Sequence, residues 1–348
     1  MAETRSNVCS NARSDSSSDA CSNLRSNVYR IPRRFNWTVV VAGFAALALL
    51  LMLWRWGGSG GEALAWLDTA RWLRGELPAS SLRAPFAYQL GLPALAAILP
   101  GELRHVFPAL NWLFVTAGAC LAAATVRRLG FGTQRALVAG LLVIVSLPVA
   151  WYAPEPLGDP GSLCMRMLFV FGVLTGQPGI ALAAGLAGTV IQEENILLLA
   201  WLVALRRLPL PRGLAALAAA AAWLLAVRWW ILPGLAGDLP VPNAGAVFAL
   251  LGDWRTLLMI AACAGAVLPP ALLVLLGRGG APQRLEPLRS LLVLMIVPPL
   301  YAALSGQIDG RIAWGLYPFL LPFAAALGLP RDAELPSDVR QLKIVRRA

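Results

Sequence analysis

Charge is what this sequence has least of. Asp, Glu, Lys and Arg make up 14% of its 348 residues, against about 25% in soluble domains. That scarcity excludes an ordinary water-soluble globule. Lysine and histidine occur once each, as Lys343 and His105, so no histidine cluster can hold a metal, and His105 reads as an interfacial side chain at a helix start. Cysteine is sparse: Cys9 and Cys21 lie in a polar tail, and Cys120, Cys164 and Cys263 lie in apolar segments. No metal-site spacing or disulfide framework emerges from them. Gly57-Gly58-Ser59-Gly60-Gly61 lacks a following Gly-Lys-Ser/Thr and is a flexible joint, not a phosphate loop. No apolar h-region falls within the first thirty or so residues, so the N-terminus is not a signal peptide. Apolar–polar alternation is also missing from runs such as Val39 to Trp54, which excludes a membrane β-barrel.

What is present is a series of apolar runs separated by short arginine-rich loops. The expected fold is therefore all-α, a polytopic transmembrane bundle. The net charge of +11 reflects those arginines; it fits the positive-inside rule and a lipid bilayer partner, with no nucleic acid. Residues 1–34, rich in Ser, Asn and Arg and repeating Cys-Ser-Asn-x-Arg at Cys9 and Cys21, read as a disordered cytosolic tail. Residues 35–330 form the membrane domain, and 331–348 a second cytosolic tail. Eight spans are expected, beginning at Trp37, Val106, Ala136, Gly161, Gly213, Thr256, Ser290 and Ile312. A hairpin of two short helices at 179–205 turns at Glu193 and Glu194, giving ten spans if both arms cross. Loop 55–84 is then external. Residues 85–100 form a surface or re-entrant helix, because a crossing there would put Arg127, Arg128 and Arg135 outside. Both termini are cytosolic in this scheme.

The acids separate under this topology. Glu62, Asp68, Glu76, Glu155, Asp159, Asp238 and Asp309 all fall at or near the outer side, with Arg71, Arg74, Arg83 and Arg311 among them. Glu62 to Arg74 reads as an amphipathic interfacial helix that offers Leu64, Trp66, Leu67 and Leu73 to the membrane. Asp68 and Arg71, three apart, share a helix face. One reading is a surface ion pair; the other is a carboxylate held above the bilayer, able to take a proton from a hydroxyl.

These loops carry a family resemblance. Asp68, then Gly75-Glu76, then Pro85-Phe86-Ala87-Tyr88-Gln89-Leu90-Gly91-Leu92-Pro93, resembles the opening of small bacterial GT-C glycosyltransferases, where an acid and a short helix precede Pro-Phe-x-Tyr-Arg-x-Leu-x-Pro. Pro154-Glu155-Pro156-Leu157-Gly158-Asp159 is similar to the family's acidic second outer loop. Gln192-Glu193 is similar to an Arg-Glu pair, and Asp309-Gly310-Arg311 to an acid–arginine pair before the last span. Gln89 and Gln192 each stand where the family usually has arginine.

The resemblance implies a multi-pass enzyme of the bacterial inner (plasma) membrane. It would move a sugar from a polyprenyl-phosphate donor to an acceptor hydroxyl at the outer face, with inversion. In that frame Asp68 is the general base, with Glu62 its substitute. Arg311 and Arg83 stabilise charge on the departing phosphate. Asp159 steers the acceptor, stabilises positive charge at the sugar carbon, or holds a divalent cation. Tyr88, Gln89, Glu155, Glu193 and Asp309 complete the substrate-binding set. The rival reading is a transporter or lipid flippase without covalent chemistry, built on helices broken at Pro148, Pro269-Pro270, Pro298-Pro299 and Pro318.

Overall fold

The computed structural model describes residues 35–58, 60–235, 242–243, 245, 248–249, 252–277, 283–305 and 310–329. Both tails, 1–34 and 331–348, lie outside the described residues, as do Asp238 and Asp309. The chain divides into two units, Met1–Trp37 and Thr38–Ala348. In the first, the rings of Phe35 and Trp37 meet edge to face at 4.6 Å. In the second, the protein is all-helical, with no strand among the described residues.

Helix α1 (Trp37–Leu53) buries Phe44, Ala48 and Met52, spaced four apart, and leaves Val39, Leu50 and Leu53 exposed. After α2 (Gly61–Leu73) and α3 (Gly91–Ile98) comes α4 (Leu103–Arg128), the longest helix described. It packs against α5 (Thr133–Ile144) and α7 (Asp159–Leu174), with α6 (Leu147–Trp151) between them in sequence. Helix α7 packs on α8 (Pro178–Ile191), which is followed by α9 (Ile196–Ala204) and α10 (Leu210–Ala226). Helix α10 turns a small-residue stripe (Gly213, Ala216, Ala220) inward and exposes Leu214 and Leu225. The later helices are α11 (Trp254–Ala264), α12 (Leu268–Leu275), α13 (Glu286–Met295), α14 (Val297–Leu304), α15 (Arg311–Gly315) and α16 (Tyr317–Ala326). Helix α16 is apolar on every side and almost wholly buried, set against α4, α5, α7 and α12.

Among the described residues, three helices are long and apolar enough to cross a membrane: Leu103–Arg128, Leu210–Ile231 and Gln283–Leu304. A fourth span arises if α11 and α12, bent by 72° about Gly265, count as one. Several runs that read as single spans are divided. The run Ala136 to Ala153 breaks before Pro148 into α5 and α6, since a proline supplies no N–H to continue the ladder. Twelve residues of α5 cover only about 18 Å, short of a hydrocarbon core of about 30 Å.

Helix α2 departs from its expected surface role. Trp66 and Leu67 do not face outward; they are buried with Leu92 and Ala96 of α3 and with Phe107 and Leu110 of α4, while Leu64 and Leu73 stay exposed. A protein groove was available to them because Gly158, lacking a side chain, lets the Trp66 ring lie directly on its backbone. Arg74 completes this layer. Its guanidinium donates to the carbonyls of Ala96, Ala97, Leu99 and Gly101, at 2.7 to 3.3 Å, closing the open end of α3.

Candidate functional site

The starts of α2, α7 and α15 converge on the turn between α8 and α9 and, with residues 85–89, the end of α10 and α14, line a half-open cavity of about 660 Å³. The start of α7 is fixed from below. Asn111 of α4, fully buried, donates through Nδ2 to the carbonyls of Ala153, Glu155 and Leu157 at 3.1, 2.8 and 3.2 Å. That clamp sets the loop from which Asp159 opens the helix, where the N-terminal end favours a carboxylate. Asp159, Ser162 and Arg166 then follow at helical spacing on one face and all line the cavity.

Three guanidiniums and four carboxylates meet there. Arg311, at the first position of α15, pairs with Glu62 of α2 and lies 3.7 Å from Asp159. Gln192 donates to the other Asp159 oxygen at 3.2 Å. Arg228, in a π-turn (Val227–Ile231) that ends α10, pairs with Glu193, and its guanidinium sits 5.3 Å from the centre of the Tyr88 ring. Arg166 lies deepest, its side chain only 5% exposed. It donates Nε to Asn195 Oδ1 at 2.7 Å and Nη1 to the Gly315 carbonyl at 2.9 Å, and it pairs with Glu194. Asn195 in turn donates to Ser162 Oγ at 2.8 Å and to the Gly188 carbonyl at 3.0 Å. In the turn itself, burial pushes the Glu193 carboxyl above the usual carboxylate range, with the Arg228 charge pulling the other way.

Of the residues singled out from sequence, Glu62, Asp159, Arg311, Gln89 and Glu193 line this cavity. Asp68 does not. It is six residues beyond Glu62 on α2, a rotation of about 240° at 100° per residue, which turns it away from the face that Glu62 shares with Trp66. Its partner is Arg71, at 3.3 Å. Glu155 is also outside the lining. It is held by Arg55 at 2.6 Å, and the same guanidinium covers the Trp151 ring at 4.1 Å, so the pair ties the end of α1 to the loop before α7. Arg83 is exposed and, like Tyr88, is not among the lining residues; the Tyr88 ring instead lies against the Arg228 guanidinium.

Arg166, Arg228, Asn195, Ser162 and Trp314 belong to the site and are passed over when arginines are counted only at the ends of apolar runs. Arg166 was legible: it interrupts the run Gly161 to Gly176, and an ionisable residue within a span is a functional signal by default. For a divalent cation the residues present do not fit. Glu62 and Asp159 already share Arg311, and among the described residues no three ligating side chains gather. Compared with family models, with curated proteins and with solved structures, the chain finds no match.

Proposed function

We propose that this protein is a multi-pass membrane glycosyltransferase of GT-C type, moving a sugar from a polyprenyl phosphate to an acceptor hydroxyl with inversion. The observation that carries the reading is the Glu62–Arg311–Asp159 bridge: two carboxylates from separate elements share one arginine at the mouth of a cavity walled by apolar helices. In the proposed step, Glu62 takes the proton of the acceptor hydroxyl. The freed oxygen attacks the anomeric carbon, the carbon–oxygen bond to the lipid phosphate breaks, and the electron pair leaves on that phosphate. Arg311, with its planar fork, stabilises the new phosphate charge, and Asp159 stabilises the oxocarbenium-like carbon. Glu62 replaces Asp68 as base because Glu62 faces the cavity. The arginine clusters 127–135, 206–212 and 284–289 support eight spans with cytosolic termini and an outward cavity.

The test is transfer from radiolabelled polyprenyl-phosphate sugars to hydroxyl acceptors in proteoliposomes. Label should reach an acceptor with wild-type protein and fall to background with Arg311→Ala. Absence of transfer across a panel of donors overturns the reading. A transporter or flippase is the second reading, favoured by one feature, a charged side chain, Arg166, placed within an apolar run and only 5% exposed. Movement of intact lipid-linked sugar between leaflets, without transfer, would support it.

A further inference from the structure

We propose that the end of α9 far from the cavity, with the starts of α10 and α13 beside it, binds the head group of an anionic phospholipid through Arg206, Arg207, Arg212 and Arg284.

Trp201, about one turn before the end of α9, donates its indole N–H to Ser290 Oγ at 3.1 Å, about one turn after the start of α13. That bond brings the two helix ends to one level. Arg206 and Arg207 follow α9 directly, and Arg284 just precedes α13. Arg212 stands in the first turn of α10, which packs on α9. The Arg207 guanidinium lies 5.9 Å from the centre of the Trp201 ring. The acid placed beside this group, Glu286, pairs with Arg289 at 3.3 Å. Arg206, Arg207, Arg212 and Arg284 have no carboxylate partner among the described residues. Like charges gathered in this way repel one another, and an anion set among them removes that repulsion.

The backbone supplies a second, independent observation. Arg206 has φ +49°, the one positive φ at a non-glycine position among the described residues. Its N–H donates to the Val203 carbonyl and that of Arg207 to the Leu202 carbonyl, both at 3.0 Å, which is the paired bond pattern of a Schellman helix end. Elsewhere this chain ends helices by the same pattern with glycine, at Gly75, Gly130 and Gly176. An arginine in that conformation is strained where glycine is not, and such strain points to a use for the side chain. Here it doubles the positive charge next to Trp201.

The neighbouring surface selects a lipid over a soluble anion. Helices α10 and α13 open two of the long apolar segments, Leu210–Ile231 and Gln283–Leu304, and Leu214, Leu225, Val293 and Leu300 on them are exposed. Acyl chains can lie along these sides while the phosphate meets arginines at the membrane boundary.

The experiment uses full-length protein in neutral detergent, with equilibrium retention of radiolabelled dioleoyl phosphatidylglycerol or phosphatidylcholine and thermal melting without added lipid. Phosphatidylglycerol should bind saturably and about fivefold or more tighter than phosphatidylcholine. Arg206→Gly removes both charge and strain, so it should melt no lower than wild type yet bind phosphatidylglycerol about fivefold more weakly. Arg206→Lys keeps the charge and should stay within about twofold of wild type. Arg104→Ala, at an exposed arginine in the first turn of α4, should change nothing. Equal retention of the two lipids by wild-type protein overturns the proposal, as does full phosphatidylglycerol affinity in Arg206→Gly. Displacement of the lipid by inorganic phosphate at the lipid's own concentration would make this a soluble-anion site and overturn it too.

Discussion

Replacing Glu62 by Gln separates the two roles that the Arg311 bridge combines. The side chain of Glu62 is 42% exposed and that of Arg311 18%, so their pair is a boundary contact, worth at most about 1 kcal/mol to stability. The fold should therefore tolerate the change, since the amide keeps its shape and still accepts from Arg311. Catalysis should not tolerate it. A positioned base contributes about 10²- to 10⁴-fold, and transfer should fall by that factor. Binding of the bare phosphate lipid should move the opposite way. Arg311 loses a competing anion worth up to about 1 kcal/mol, which allows up to about fivefold tighter phosphate binding. Turnover from radiolabelled donor and equilibrium binding of polyprenyl phosphate, measured on the same nanodisc preparation, give both numbers. Near-normal turnover refutes the base assignment. Phosphate binding weakened tenfold or more refutes the competition argument, because it would mean that Glu62 aims Arg311 at the ligand.

Asp68→Asn should retain nearly full transfer and melt within about 1 kcal/mol of wild type, as expected of a partly exposed pair with Arg71; a hundredfold loss of turnover would return the base to Asp68. Arg166→Lys should destabilise by about 3 kcal/mol or more in a denaturation series, because an ammonium cannot reproduce the fork that reaches Asn195, Gly315 and Glu194 together. Gly158→Ala should cost about 1–3 kcal/mol and lower transfer, since a β-carbon there overlaps the Trp66 ring and pushes it from the cavity wall. Unchanged tryptophan fluorescence and activity in that variant would contradict the packing.

Helix class was legible because it follows from long apolar runs alone. Helix continuity was not, because it depends on how the chain meets each proline. Pro108 sits inside α4 without ending it, whereas the stretch before Pro148 breaks. The same limit applied to side-chain direction. Residue spacing placed Glu62 and Asp68 on one short helix, and rotation about its axis, fixed by Trp66 seated on Gly158, decided which of them meets Asp159. Tertiary contact also supplied reasons for arginines that topology left unexplained: Arg74 caps α3, and Arg55 binds Glu155. Arg166 needed no structure to be noticed, only the cost of a charge inside an apolar run.

The two functional readings differ in where ion pairs must open, and the cavity is graded in that respect. At the mouth, Arg311 serves two carboxylates, and the nearer, Glu62, is half exposed, so exchanging a partner for a phosphate costs little. At the base, Arg166 is buried, held by a carboxylate and an amide oxygen of the α8–α9 turn and by a backbone carbonyl of α15. Withdrawing the carboxylate leaves the Arg166 charge buried without its counter-ion, which costs more than an exchange at the half-exposed mouth. A transporter carrying a polar head group through the bundle would have to open that lower layer on every cycle. A transferase needs only the upper one, where donor phosphate and acceptor hydroxyl meet Arg311 and Glu62 while the Arg166 layer holds α7, the α8–α9 turn and α15 in register. The gradient from exchangeable to locked charge therefore favours chemistry at the mouth over passage through the floor.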